Sequence, residues 1–280
     1  MNGAVERHRF PRTHDSLGGP GVTVFLAGMQ SHGADQASTI QRYLPGDVRT
    51  YNAIGKKFHP DRIADAVISD IQPYVDDEQP VRFVGASMGG MLTPFVMSEL
   101  LDRNDGMNTE QLRALVVDSP AGRDTLVNEQ SHLLGNHVVA TVLEHAPGII
   151  KAPIFIPKKG DVTIPRDLLT SPENYEYQFR QSARQRLSGF ALSLWADEIN
   201  WMNDIVKDGS LPRACRALAG VSMRYLMCTG KNDAVLQPRA ATRWTEWNPG
   251  MMVDYVSARH CAFHQDNPQF AQYFKSGVFH

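Results

Sequence analysis

Val81-Arg82-Phe83-Val84-Gly85-Ala86-Ser87-Met88-Gly89-Gly90-Met91 is the stretch on which the reading of the fold turns. Its first four residues are mostly apolar and β-branched, and they read as a short buried strand. From Met91 onward the apolar residues Met91, Phe95, Val96 and Leu100 recur at helical spacing. Between the two stands a serine with a glycine two positions before it and another two positions after. A strand that reverses sharply into a helix holds its central residue in a strained backbone conformation, and side chains at those two flanking positions would collide. Glycine removes both obstacles. The turn then lifts the Ser87 hydroxyl clear of the strand, at a helix N-terminus that favours developing negative charge.

The alternation of strand and helix recurs on both sides of this turn. Val22–Leu26, Leu115–Val117, Arg224–Cys228 and Met252–Val256 are short apolar runs bounded by turn residues, and Val48–Tyr51 is a weaker one. Ile63, Val67, Ile71 and Tyr74 keep helical spacing, with Pro60 suited to a first turn. Parallel strands need crossover connections, so the pattern predicts an α/β protein with a mostly parallel, doubly wound sheet. The alternation stops after Asp118. From 120 to 220 the runs are helical, including Leu133–Leu143 and the stripe Leu192, Trp195, Ile199 and Met202, with a proline-rich turn region between Pro147 and Pro165. The expected organisation is therefore a core from 1–119 and 221–280 with a mostly helical cap inserted at 120–220.

A serine hydroxyl is a weak nucleophile at neutral pH and needs a base, which in turn needs an orienting acid. The strand ending at Cys228 leads into Thr229-Gly230-Lys231-Asn232-Asp233, and the strand ending at Val256 leads into Ser257-Ala258-Arg259-His260. The order Ser87, Asp233, His260 suits a catalytic triad on parallel strand ends. His264 is an alternative base and Asp118, after Val117, an alternative acid. Asp118-Ser119-Pro120 also reads as a plain turn leaving the sheet.

With these residues in place the chain resembles the α/β-hydrolase superfamily. The resemblance rests on Gly85-Ala86-Ser87-Met88-Gly89, on Gly230-Lys231-Asn232-Asp233, and on His260 followed by Asn267-Pro268-Gln269-Phe270. It implies Ser87 as nucleophile, His260 as general base and acid, and Asp233 as the group orienting the imidazole. It also implies an oxyanion hole from the backbone amides of Met88 and Met29, the latter in the loop after Leu26. Many members begin that loop with His-Gly, whereas this chain has Ala27-Gly28. Members usually carry two antiparallel strands before that loop, and only about twenty residues precede Val22, so six or seven strands are expected. Serine at position 87 excludes the aspartate nucleophile of epoxide hydrolases and haloalkane dehalogenases.

The composition sets the outer bounds. The chain has 280 residues with 28 basic against 30 acidic, giving a net charge of −2. That balance offers no polycationic face for nucleic acid. Mean hydropathy is −0.31 and no apolar run approaches the length of a membrane span. Three cysteines without a CxxC pair and a polar N-terminus point to a reducing, cytoplasmic setting. The expected function is a serine hydrolase cleaving the carboxylic ester of a small, largely apolar molecule through an acyl-enzyme, without cofactor or metal. Acyl transfer, thioester cleavage, carbon–carbon hydrolysis and perhydrolysis use the same triad, and a non-catalytic small-molecule receptor is the alternative outside enzymes. Trp195, Ile199 and Met202 are candidate pocket residues, against the alternative that their stripe packs the cap onto the core. A homodimer is left open.

Overall fold

The computed structural model describes residues 4–10, 19–28, 41–54, 57–126, 192–228 and 236–256. Seven strands among these residues form one sheet: β1 (Ala4–Phe10), β2 (Val22–Leu26), β3 (Asp47–Ile54), β4 (Val81–Ala86), β5 (Leu112–Val117), β6 (Ser222–Cys228) and β7 (Met252–Val256). Their order across the sheet is β1-β3-β2-β4-β5-β6-β7. Only β1 runs antiparallel, against β3; every other pairing is parallel. The carboxyl ends of β2 to β7 therefore emerge along one edge.

The central strands β2, β4 and β5 are largely apolar and buried on both faces, as buried parallel strands must be. Val24, Leu26, Phe83, Val116 and Tyr225 belong to one hydrophobic cluster. Phe25, Val84, Ala86, Leu115, Val117 and Leu226 belong to another. The first cluster also holds the inner faces of five helices: α1 (Pro60–Asp76), α2 (Met88–Arg103), α3 (Leu192–Lys207), α4 (Ser210–Ala217) and α5 (Arg239–Trp247). Pro60 opens α1 as its spacing predicts, since a first-turn residue has no intrahelical N–H bond to lose.

β1 is the strand that the sequence pattern does not show. Its residues are largely polar because it is an edge strand; the ladder to β3 holds it, Val5 and Phe10 pack against the two cores, and ion pairs add to these. Arg9 Nη2 donates to Asp47 Oδ2 at 2.7 Å, and Tyr74 from α1 donates to the same oxygen at 2.6 Å. Arg7 Nη1 donates to Asp70 Oδ1 at 3.0 Å, while the Tyr51 hydroxyl reaches Asp70 Oδ2 at 3.1 Å. Arg9 thus ties β1 to β3, and the Asp70 and Tyr74 contacts tie these strands to the helix packed over them. The sheet consequently has the larger of the two expected strand numbers.

Of the segment 120–220 expected as a cap, 127–191 lies outside the described residues, and so does the expected helix Leu133–Leu143. The described end is helical. α4 packs against α2 and buries Leu211, Ala214 and Cys215. α3 touches Phe58, Phe95 of α2, and Gly122. Asp197 Oδ2 accepts from the Phe58 amide at 3.2 Å; Trp201 meets the Phe58 ring at 5.1 Å and the Phe95 ring at 6.3 Å. At its far end Val206 lies beside Gly122.

Glu198 is the unusual residue of α3. It stands on the buried stripe Leu194, Glu198, Met202, Ile205, is 3% exposed, and its Oε2 has no hydrogen-bond partner. Burial pushes its carboxyl up to about 8, with the neighbouring Asp197 charge acting in the same direction. The folded carboxyl thus stays protonated at neutral pH while an unfolded one ionises near 4.5. Its stabilising contribution is full below about pH 4.5 and is lost progressively as pH rises to about 8. Thermal melts from pH 4.5 to 8 should accordingly fall more steeply for the native chain than for Glu198→Gln. Parallel pH dependences would contradict a buried, neutral Glu198.

Candidate active site

β4 ends at Ala86, α2 begins at Met88, and Ser87 alone makes the turn. Its backbone lies at φ 52°, ψ −123°, a region that costs a non-glycine residue about 1–3 kcal/mol and persists only where the surroundings enforce it. Two hydrogen bonds do part of that work. The Ser87 amide donates to the Val117 carbonyl at 2.8 Å, and the Gly90 amide donates to the Ser87 carbonyl at 2.9 Å.

The flanking glycines answer to measurable space. A Cβ on Gly85 would stand 2.6 Å from the Gly89 carbonyl oxygen and 2.7 Å from Gly90 Cα. A Cβ on Gly89 would overlap the Leu26 carbonyl and stand 2.6 Å from the Ala27 oxygen. The first glycine lets the turn fold on itself; the second brings the N-terminus of α2 onto the end of β2. That contact sets the start of the loop after Leu26 beside the serine. Met88 is buried at the head of α2, and as a first-turn residue its amide has no partner within the helix.

Asp118 takes the corresponding place one strand over. Val117 pairs with Ala86 across β4 and β5, so Asp118 and Ser87 are adjacent exits from the sheet. Asp118 is fully buried and also has positive φ, 46°. Among the described residues only Glu78, Ser87 and Asp118 are non-glycine residues with this backbone sign, and two of them stand side by side here. The Asp118 amide donates to the Leu226 carbonyl at 2.9 Å.

The chain beyond Asp118 is pinned by groups that no sequence pattern marks. The Ser119 carbonyl accepts from the Tyr225 hydroxyl at 2.6 Å and from Trp244 Nε1 at 3.1 Å. Arg243 grips the next turn, donating to Asp124 Oδ1 at 2.7 Å, to Asp124 Oδ2 at 2.6 Å and to the Ala121 carbonyl at 2.9 Å. The Gln237 amide bonds the Thr125 carbonyl at 2.8 Å, and Leu236 bridges Leu126. Leu236 and Gln237, eight and nine residues beyond the end of β6, thus lie against the exit of β5. No spacing rule points to these contacts; the paired indoles Trp244 and Trp247 are their nearest sequence signal.

Other expected site residues divide plainly. Asp233, His260, His264 and Met29 lie outside the described residues. Trp195 belongs to α3, but its side chain is not among those described. Ile199 and Met202 are fully buried in the same hydrophobic cluster as Met88 and Met91. Among the described residues no three His, Cys, Asp or Glu side chains gather as metal ligands, and no helix is long and apolar enough to cross a membrane.

No protein-family model matches the chain, and no curated protein matches it. Solved structures do. MGS-M2, an α/β-hydrolase enzyme from a Medee basin deep-sea metagenome library, superposes with a TM-score of 0.65 at 11% identity, covering 100% of this chain and 95% of the other. The enol-lactonase of Burkholderia xenovorans LB400 superposes at 0.59 with 12% identity over 98% and 95%. An N-formylmaleamic acid deformylase from Pseudomonas putida S16 superposes at 0.60 with 13% identity over 97% and 96%. The chain has the α/β-hydrolase fold. These neighbours are hydrolases of different bonds, and at such identities the likeness concerns the scaffold on which the serine turn is built.

Gly89→Ala tests that turn. The added methyl meets the consecutive carbonyls of Leu26 and Ala27, which cannot swing away as a side chain would. The variant should lose on the order of 3 kcal/mol in denaturant unfolding. A loss below about 1 kcal/mol, within the reach of ordinary repacking, would mean that α2 does not approach β2 this closely.

Proposed function

We propose that the protein is a serine hydrolase of a carboxylic ester or related acyl bond in a small, largely apolar substrate. The observation that carries this reading is Ser87 at φ 52°, ψ −123°, forced into the turn by two glycines at the carboxyl edge of a hydrolase-fold sheet. A merely structural turn needs no strained serine at its apex. The hydrolase neighbours, among them an enol-lactonase and a putative aryl esterase from Burkholderia cenocepacia, fit this class of chemistry without naming the bond.

In the proposed mechanism His260 takes the Ser87 proton as the oxygen attacks the acyl carbon. The negative oxygen of the tetrahedral intermediate is held by the Met88 amide and by the Met29 amide. His260 then protonates the leaving alcohol. Water, deprotonated by His260, attacks the acyl-enzyme, and collapse of the second intermediate frees the acid and returns the proton to Ser87. The 120–220 segment caps the site and screens it from bulk water. A near-neutral protein with 28 basic and 30 acidic residues suits a substrate of little charge.

Asp233 orients His260 in this reading. A second assignment, Asp118, has a specific observation in its favour: it is buried, strained and one strand from Ser87. The two carboxylates separate by substitution. Ser87→Ala should lower kcat/KM for p-nitrophenyl esters by at least about 10³-fold, and the amide of the true acid by about 10³- to 10⁴-fold through the wrong imidazole tautomer. The expected pattern is a large loss in Asp233→Asn and a small one in Asp118→Asn, and the reverse would move the acid to Asp118. Undiminished turnover in Ser87→Ala would end the hydrolase reading.

A further inference from the structure

Ser119 stands where the two restraints on Ser87 meet. The first restraint is the 2.8 Å bond from the Ser87 amide to the carbonyl of Val117, two residues before Ser119. The second is the 2.9 Å bond from the Gly90 amide to the Ser87 carbonyl. Gly90 lies directly against Ser119: a Cβ placed on the glycine would stand 2.5 Å from Ser119 Cβ and 2.7 Å from Ser119 Oγ. A displacement of Ser119 therefore reaches the serine turn by two routes, along the chain through Val117 and by contact through Gly90.

Ser119 is itself latched from two other elements. Its carbonyl accepts from the Tyr225 hydroxyl of β6 at 2.6 Å and from Trp244 Nε1 of α5 at 3.1 Å. Both donors and the residue they hold are fully buried, and the two rings lie 5.8 Å apart. A phenylalanine at 225 would fill nearly the same space with no hydroxyl to satisfy. Instead the hydroxyl and the indole N–H converge on one oxygen. A strained backbone persists only where its surroundings over-determine it. The latch acts at the neighbour that meets both restraints on Ser87.

We propose that Tyr225 and Trp244 are positioning residues for the reaction at Ser87, keeping the serine, through Ser119, where its hydroxyl can attack. They act through the backbone and need no contact with the substrate. A misplacement of about 1 Å costs a reacting group up to about 10²-fold in rate, so a small slackening at Ser119 is enough to be measured. The assignment rests on the serine hydrolase reading and adds to it the distant contacts that keep the nucleophile reactive.

The test measures how fast a fluorophosphonate labels Ser87 in the full-length native protein and in Tyr225→Phe, Trp244→Phe and Thr23→Val. Thr23 supplies the control. Its buried hydroxyl donates to the Pro45 carbonyl at 2.6 Å, near the amino end of β2 and away from the carboxyl edge. Tyr225→Phe and Thr23→Val each remove one buried hydroxyl bond, so each should lower Tm by about 2–4 °C. Their labelling rates should differ. Tyr225→Phe and Trp244→Phe should each slow labelling about tenfold, and Thr23→Val by less than about twofold. Thermal melts establish which variants are folded, and where one latch variant does not fold the other decides. A folded latch variant that is labelled no more slowly than Thr23→Val overturns the assignment. Loss of folding in both latch variants while Thr23→Val folds also overturns it, because the latch would then be a requirement of folding alone. A native chain that takes no label removes the serine hydrolase reading itself, and this assignment with it.

Discussion

The close approach of Gly89 to the Leu26 and Ala27 carbonyls is the contact on which the rest of the structure depends. It fixes the head of α2 against the end of β2, and the reversal at Ser87 follows from that distance. The strain at Ser87 is then sustained by its neighbours: its amide is held by Val117 and its carbonyl by Gly90. Because Val117 also precedes Asp118, the bond that holds the serine in place sets its spacing to the nearest carboxylate. One steric requirement thereby positions the nucleophile, the amide of Met88 and the start of the neighbouring loop.

Around this point the sheet serves as a ruler. Six parallel strands bring their carboxyl ends to one edge, and each exit presents a different element: Gly28 after β2, Phe58 beyond β3, Ser87 after β4 and Asp118 after β5. Long-range contacts stiffen the exits. Tyr225 and Trp244 hold Ser119 from two other elements, and Arg243 clamps Asp124, whose carboxyl its guanidinium draws below the usual range. α3 reaches Phe58 beyond β3 and Gly122 beyond β5.

The parts legible in the sequence are those governed by local rules. The turn at Ser87 is recognisable because glycine at two fixed offsets has a steric cause, and the buried strands because parallel strands are apolar on both faces. β1 escapes notice because it carries few apolar residues: its ladder partner β3 and the carboxylates that Arg7 and Arg9 meet lie tens of residues away. α5 is hidden for a similar reason: its buried residues Ala240, Ala241 and Trp244 are few and lie among charged neighbours. The latch on Ser119 joins residues more than a hundred positions apart, and no spacing reveals it. Glu198 reads in the sequence as one of several acidic residues on a helix. Only its place four residues from Leu194 and four from Met202 marks it as inward-facing.

Ser87 is, on this reading, an activated nucleophile and not merely a strained turn residue. Treating the protein with a fluorophosphonate and locating the adduct by peptide mass spectrometry tests it most directly. The account predicts one phosphonyl group per chain, carried by the peptide containing Ser87 and absent from Ser87→Ala. An unmodified chain after prolonged exposure, or an adduct on another residue, would contradict it.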